Sequence, residues 1–294
     1  MIEIATEVAQ ALDRRKPVVA LETTLAAHGF PPGEGIQVAL AAEQRVREAG
    51  AVPATVGVLD GAVRVGVSPD QLERFTAEAR KVGPRDLAAC VVQGAVGATT
   101  VGGTLAACRA AGIGFMGTGG IGGVHRGERL DVSGDLGELA RTEALVVCSG
   151  AKSFLDVPAT MELLETLGVP VLGYRADELP LFYAAQGGPS VPARVESAAE
   201  AAEVARTHWG LRRHSAVLLA QPPPESLDDV ESLIDQALAA AEEQDVSGPP
   251  LTPYVLAFLH ERSGGETLRV NRELVLANAQ LAAEVAVAFA RMAA

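Results

Sequence analysis

Lysine is scarce in this chain: Lys16, Lys81 and Lys152 stand against 21 arginines among 294 residues. Lys152 lies in VVCSGAKSFLD (146–156), a glycine-flanked turn that follows an apolar run. A guanidinium stays protonated, whereas an amine can lose its charge on burial and attack a carbonyl carbon. The apolar strand before Lys152 and Phe154-Leu155 after it shape a partly dry pocket, the setting in which a Schiff-base lysine works. A bias toward arginine that spared three lysines is the plain alternative. Lys16, in DRRKP, reads as surface. Lys81, in ARKVGPRDL, reads as the end of a helix begun at Ser68, where the dipole favours a cation.

Glu22 closes the apolar run PVVALE. A carboxylate there is costly unless it is partnered or functional. Partial burial raises its pKa toward neutrality, which suits a general acid; a structural role is the alternative. Downstream, GTGGIGG (117–123) satisfies GxGxxG after a strand, yet GVHRGERLDVSGD follows it without helical periodicity. A dinucleotide fingerprint needs a helix N-terminus at that point, so the loop reads instead as backbone brought close to a small ligand. His125 and Arg126 leave this loop together, as solvated surface or as an anion contact. Asp131 and Asp135 could share one helical face, or Asp135 could cap a helix from Leu136. Asp131 is then free to reach a hard divalent cation.

The elements that must position these residues alternate between strand and helix. Strands are expected at 17–22, Ala88–Val92, Ile113–Met116, Ala144–Cys148, Pro170–Gly173 and 215–221. PATVGVLDGAVRVG (53–66) reads as two strands joined at Asp60–Gly61. Helices are expected over Gly33–Ala49, Thr99–Ala111, Pro158–Leu167, Ser197–Trp209, Glu225–Glu243, Thr252–Glu261 and Leu268–Arg291, with Ser68 capping another. Such alternation predicts an α/β/α sandwich around a mainly parallel sheet, and residues 1–294 form one domain. Ligands gather at the C-terminal edge of such a sheet. Four strand-end loops therefore matter: 21–31, 93–100, 117–127 and 148–156.

Composition sets the outer bounds. The chain is 48% hydrophobic but only 4% aromatic, which suits helices packed on a sheet through small residues. Its net charge of −13 argues against nucleic acid or an anionic membrane as the main partner. Cys90, Cys108 and Cys148 show no metal or redox spacing and read as reduced core thiols. With no apolar leader, the expected compartment is the cytoplasm.

With these residues in view, the chain resembles the pseudouridine-5'-phosphate glycosidase family. The matching blocks are PVVALETTLAAHGFP, GAVPATVGVLDG, RKVGPRDL, GATTVGGT, GTGGIGGVHRG, DVSGDLGEL and VVCSGAKSFLD. GVPVLGY, LTPYVLAFLHERSGGETL and ANAQLAAEVA extend the likeness over nearly the whole length. The resemblance implies a single α/β/α unit, a homotrimer, and a lyase that uses a divalent metal, usually manganese. Such an enzyme interconverts pseudouridine 5'-phosphate with uracil and ribose 5-phosphate. It implies Glu22 as proton donor and Lys152 as covalent nucleophile. Lys81, Val101, Ser133, Gly134, Asp135 and Asn278 would contact substrate, with His125 beside them, and Asp131 would hold the metal largely through water.

The chain departs from the family pattern at KVGPRDL, which lacks a hydroxyl and an arginine beside Lys81, and at QPPPE (221–225). Three rivals remain: a related Schiff-base lyase acting on another C-glycoside or sugar phosphate, a non-catalytic sugar-phosphate-binding protein, and a nicotinamide-dependent enzyme using the GxGxxG.

Overall fold

The computed structural model describes every residue except 128–130, 153, 228–229, 247, 249 and 293–294. The N-terminal third contains β1 (Ile2–Ile4), α1 (Thr6–Asp13), β2 (Val18–Glu22), α2 (Thr24–His28), α3 (Glu34–Glu48), β3 (Val52–Leu59) and β4 (Ala62–Val65). It continues through α4 (Pro69–Leu72), β5 (Arg80–Val82), α5 (Leu87–Val92) and β6 (Gly97–Thr99). The middle holds α6 (Val101–Ala111), β7 (Phe115–Gly117), β8 (Val124–His125), α7 (Gly134–Leu139), β9 (Leu145–Cys148), β10 (Leu155–Asp156) and α8 (Val157–Thr166). The remainder comprises β11 (Val171–Tyr174), β12 (Ala193–Val195), α9 (Ala198–Gly210), β13 (Val217–Ala220), α10 (Val230–Glu243), α11 (Leu251–Arg262) and α12 (Glu266–Met292).

The main sheet runs β1-β4-β3-β2-β7-β9-β13-β11-β12, with β6 joined to both β3 and β5. Its central pairs β3–β2, β2–β7, β7–β9, β9–β13 and β13–β11 are all parallel. All five residues of β2 are buried, as expected of a β-branched, apolar run covered on both sides. The antiparallel exceptions involve β3, against β4 and β6. Asp60 (φ 53°) and Gly61 (φ 71°) make the β3–β4 turn, and two positive φ angles in succession favour a small, flexible second residue.

Helix α12 packs against β2, β7 and β9 and contacts both α3 and α9, while α6, paired with α7, lies against β2, β3, β4 and β6. Val38, Ala42 and Val46 of α3 recur four residues apart and are all buried, so one stripe of that helix faces the core. By length and composition α12 could cross a membrane, but 56% of its most apolar stretch is buried inside the fold.

Three local expectations are corrected. The run Ala88–Val92 is helical (α5), because an apolar run this short fits either state and long-range pairing went to β6 instead. The helix capped at Ser68 does carry a capping box with Gln71, yet it ends at Leu72, so Lys81 lies on strand β5 and not at a helix end. The 21–31 segment holds a short helix, α2, directly after Glu22.

Candidate active site

A cavity of about 440 Å³ opens where the central strands end. Glu22 reaches it from the last residue of β2, Lys81 from β5, Thr100 from the β6–α6 junction and Lys152 from the loop after β9. The glycine loop after β7 supplies Gly122, and Thr252, Pro253 and Leu256 of α11 close the far side.

The lysine and glycine loops are held together by backbone bonds that continue the β7–β9 pairing beyond the sheet. Ser149 N–H donates to Gly119 O (2.8 Å), Ile121 N–H to Gly150 O (3.1 Å) and Lys152 N–H to Ile121 O (3.2 Å). Gly150 sits at φ +80°, and a Cβ there would lie 2.0 Å from the Pro180 carbonyl oxygen, so the turn into Lys152 admits only glycine. Lys152 thus projects from a backbone tied to the glycine loop.

Glu22 is 5% exposed and its Oε1 accepts the Thr118 hydroxyl. Burial is the dominant influence and lifts its pKa to about 7; Lys152, Thr118 and Lys81 oppose the rise, and Asp135 adds to it. A carboxyl raised this far has the property that a general acid near neutral pH needs. Burial likewise brings the Lys81 amine down to about 8; the nearby Lys152 charge acts in the same direction, against Asp135, Glu22 and Asp131. Two amines and one half-ionised carboxyl share a single pocket.

Asp135 ties the cavity floor together. Its Oδ1 accepts the Gly102 N–H at the start of α6 (2.8 Å), and its Oδ2 accepts the Gly122 N–H of the glycine loop (2.9 Å). It does not cap α7: Ser133 is the N-cap and accepts the Asp135 N–H (3.2 Å), because Asp135 is drawn away to these two backbone donors. Asp131 lies before that helix, so the two carboxylates do not share a helical face. No helix follows the glycine loop directly; β8 does, which excludes the dinucleotide fingerprint.

His125 and Asp131 line the same cavity and are joined by the His125 N–H to Asp131 O bond (2.9 Å). Burial holds the His125 imidazole below its usual pKa, and its Nδ1 is buried without a partner among the described residues. Arg126 points elsewhere, to Glu231 (2.8 Å), Asp235 (3.4 Å) and the Leu155 carbonyl (3.2 Å).

Among the described residues no three His, Cys, Asp or Glu gather as a metal cluster. Four carboxylates line the cavity: Glu22, Asp86, Asp131 and Asp135. Glu22 accepts Thr118, Asp86 the Gly83 N–H and Asp135 two loop N–H groups, which leaves Asp131, with the unpartnered Nδ1 of His125 near it, as the donor for a cation among the described residues. That set fits a hard cation that keeps most of its water.

Of the residues singled out in the sequence, Glu22, Lys81, His125, Asp131, Ser133, Gly134, Asp135 and Lys152 converge on this cavity. Val101 and Asn278 do not line it. Val101 is fully buried at the first turn of α6. Asn278, on α12, donates to Thr118 O (2.8 Å), Gly119 O (3.3 Å) and Ser149 Oγ (3.1 Å), bracing both site loops from beneath. Thr118, His28, Arg141 and the α11 residues went unread in the sequence. For the last three no local pattern marks them; Thr118 does follow a strand inside the glycine run, and that position was the available signal.

The whole chain has clear relatives. Residues 7–288 match the family model described as indigoidine synthase A like protein. The pseudouridine-5'-phosphate glycosidase of Caldanaerobacter subterraneus is 44% identical, over 97% of this chain and 96% of its own. That of Chloroflexus aurantiacus is 46% identical, over 98% of each. Among solved structures, the prealnumycin C-glycosynthase AlnA in complex with ribulose 5-phosphate superposes with a TM-score of 0.90. It is 39% identical to this chain and covers 100% of it, with 98% of its own length matched. The α/β/α architecture is thus common to both. On this match the chain belongs to the indigoidine synthase A-like family, that of the pseudouridine-5'-phosphate glycosidases.

Proposed function

We propose that this protein cleaves, reversibly, the carbon–carbon bond between ribose C1' and uracil C5 of pseudouridine 5'-phosphate, giving uracil and ribose 5-phosphate. The observation that carries this reading is the meeting of Lys152 with a buried Glu22 in one cavity. The names of its relatives and the sugar phosphate bound by AlnA support the substrate class.

The bond to be broken has no leaving nitrogen to protonate, so two carboxylates of the usual glycosidase kind are insufficient. An amine solves the problem. The Lys152 nitrogen bonds to C1' as the C1'–O4' bond opens, and the proton that the attacking amine sheds passes to O4', which leaves as a hydroxyl and frees the nitrogen lone pair. Glu22 then delivers a proton to uracil C5. The C1'–C5 electron pair returns to the base as the nitrogen lone pair forms the C1'=N iminium. Water adds to that carbon and releases ribose 5-phosphate, regenerating the amine. Arginine cannot form the iminium, which accounts for a lysine in an arginine-rich chain.

Asp131, with His125 beside it, would hold a divalent cation such as manganese, whose charge would offset that of a phosphorylated ligand. Lys81 and Ser133-Gly134-Asp135 form the adjoining wall for substrate. The working assembly we propose is a homotrimer in the cytoplasm, which sedimentation of the purified protein tests as a three-chain mass. The deciding experiment incubates the protein with pseudouridine 5'-phosphate and manganese and follows uracil release. Borohydride with ribose 5-phosphate should leave a reduced adduct on Lys152, and no adduct with no uracil would leave only a binding protein.

A second reading is a related lyase for another C-glycoside. It draws on the resemblance to a C-glycosynthase and on Gly83 and Pro84, which line the cavity where the family pattern has a hydroxyl and an arginine. Preference for a different C-nucleotide in the same assay would select it.

A further inference from the structure

A carboxylic acid has two oxygens, and only a proton on the one that faces the substrate can be delivered. The geometry points to Thr118 as a positioning residue that dictates which oxygen of Glu22 carries the transferable proton, an inference that rests on Glu22 being the acid. Thr118 is 1% exposed and its hydroxyl donates to Glu22 Oε1. Among the described residues this is the one acceptor it uses.

Thr118 itself cannot swing. Its N–H donates to Val147 O (3.0 Å) and its carbonyl accepts the Asn278 amide (2.8 Å). Its β-branched side chain is stiff about χ1. A proton placed on Oε1 would oppose the hydroxyl hydrogen, or force the hydroxyl to turn and bury that hydrogen without an acceptor. The acid proton is therefore confined to Oε2. That oxygen takes no hydrogen bond from the described residues, is not among the sealed unpartnered atoms, and belongs to a side chain lining the cavity. The charged groups facing Glu22 are Lys152, Lys81 and Asp135, and none of them substitutes for this directional contact.

The test is the pH dependence of kcat in Thr118→Val, which keeps the shape and removes the donor. Without that donor the ionised form of Glu22 loses support, so the alkaline limb should move up by about half to one pH unit. At neutral pH kcat should fall about tenfold, with KM held within about twofold, as the proton is no longer aimed. Thr118→Ser should restore both limb and rate. Should valine prevent folding, Thr118→Cys, a weak donor, should give an intermediate displacement.

An unmoved limb in the valine or cysteine variant, or a serine variant no better than valine, overturns the inference. Glu22→Gln separates that failure from the larger one. It should abolish the limb; if the limb survives, Glu22 is not the acid and the proposed reaction itself is at fault.

Discussion

Two buried glutamates show how the same side chain becomes structural in one place and reactive in another. Glu138 of α7 is 1% exposed, and its oxygens are fully engaged. Arg141 binds Oε2 through Nε and a terminal nitrogen, both at 2.8 Å. Thr142 (3.1 Å) and Arg109 (3.4 Å) take Oε1. Glu22 is almost as deeply buried but receives a single hydroxyl, and among the described residues it forms no ion pair. The lysines act on it across the cavity. A carboxylate met by several donors serves to hold helices together; an under-supplied one is pushed by burial toward its protonated form.

The comparison can be broken at several points. The largest effect should come from Lys152→Arg, which keeps the charge but removes the nucleophile; turnover should fall by about three orders of magnitude or more, with an unchanged circular dichroism spectrum. Retained turnover would remove the covalent role. Next, Glu22→Gln should lower kcat about a hundredfold or more while substrate binding, followed by titration calorimetry, stays close to wild type.

Glu138→Gln should do the opposite. Chemical denaturation should show a loss of about 3 kcal/mol, because two arginines lose their buried anchor, while kcat stays within about threefold.

A subtler contrast lies in stability against pH. Because the pKa of Glu22 is raised to about 7, the folded protein holds an extra proton between the ordinary carboxylate value and neutrality. Stability therefore falls as pH rises through that window and levels off above it. Glu22→Gln removes this loss, so its advantage in unfolding free energy should grow from acid to pH 8 by about 3 kcal/mol. The smallest effect expected is from Asp131→Ala, which should move a manganese titration of activity about tenfold to higher concentration; an unchanged response would refute the assignment of Asp131.

Much of this arrangement was legible before the fold was known. Glu22 and Lys152 each follow an apolar run, and parallel strands that end at one edge bring such residues together. The absence of helical periodicity after GTGGIGG counted against the dinucleotide reading, and β8 follows the loop in place of a helix. What escaped depended on long-range partners. Lys81 belongs to a strand only because β5 pairs with β6, a choice that residues 68–82 do not encode by themselves. Asp135 has the local signature of a helix cap, yet its acceptors' partners, Gly102 and Gly122, come from two other segments. Thr118 offered only its place after a strand in the glycine run and Asn278 only the family resemblance of ANAQLAAEVA; what each does depends on which carbonyl or carboxyl the fold places beside it.

The glycine loop also limits how the pocket can change. A methyl group on Gly122 would sit 2.3 Å from Ser133 Oγ, and one on Gly123 would sit 2.3 Å from Thr160 Oγ1. At these two positions the loop has no room for a side chain, so a change of cavity shape falls to other lining residues, among them Leu25, Phe154 and Leu256. A mutagenesis library aimed at the cavity's shape would therefore spread over several segments and leave the glycine loop intact.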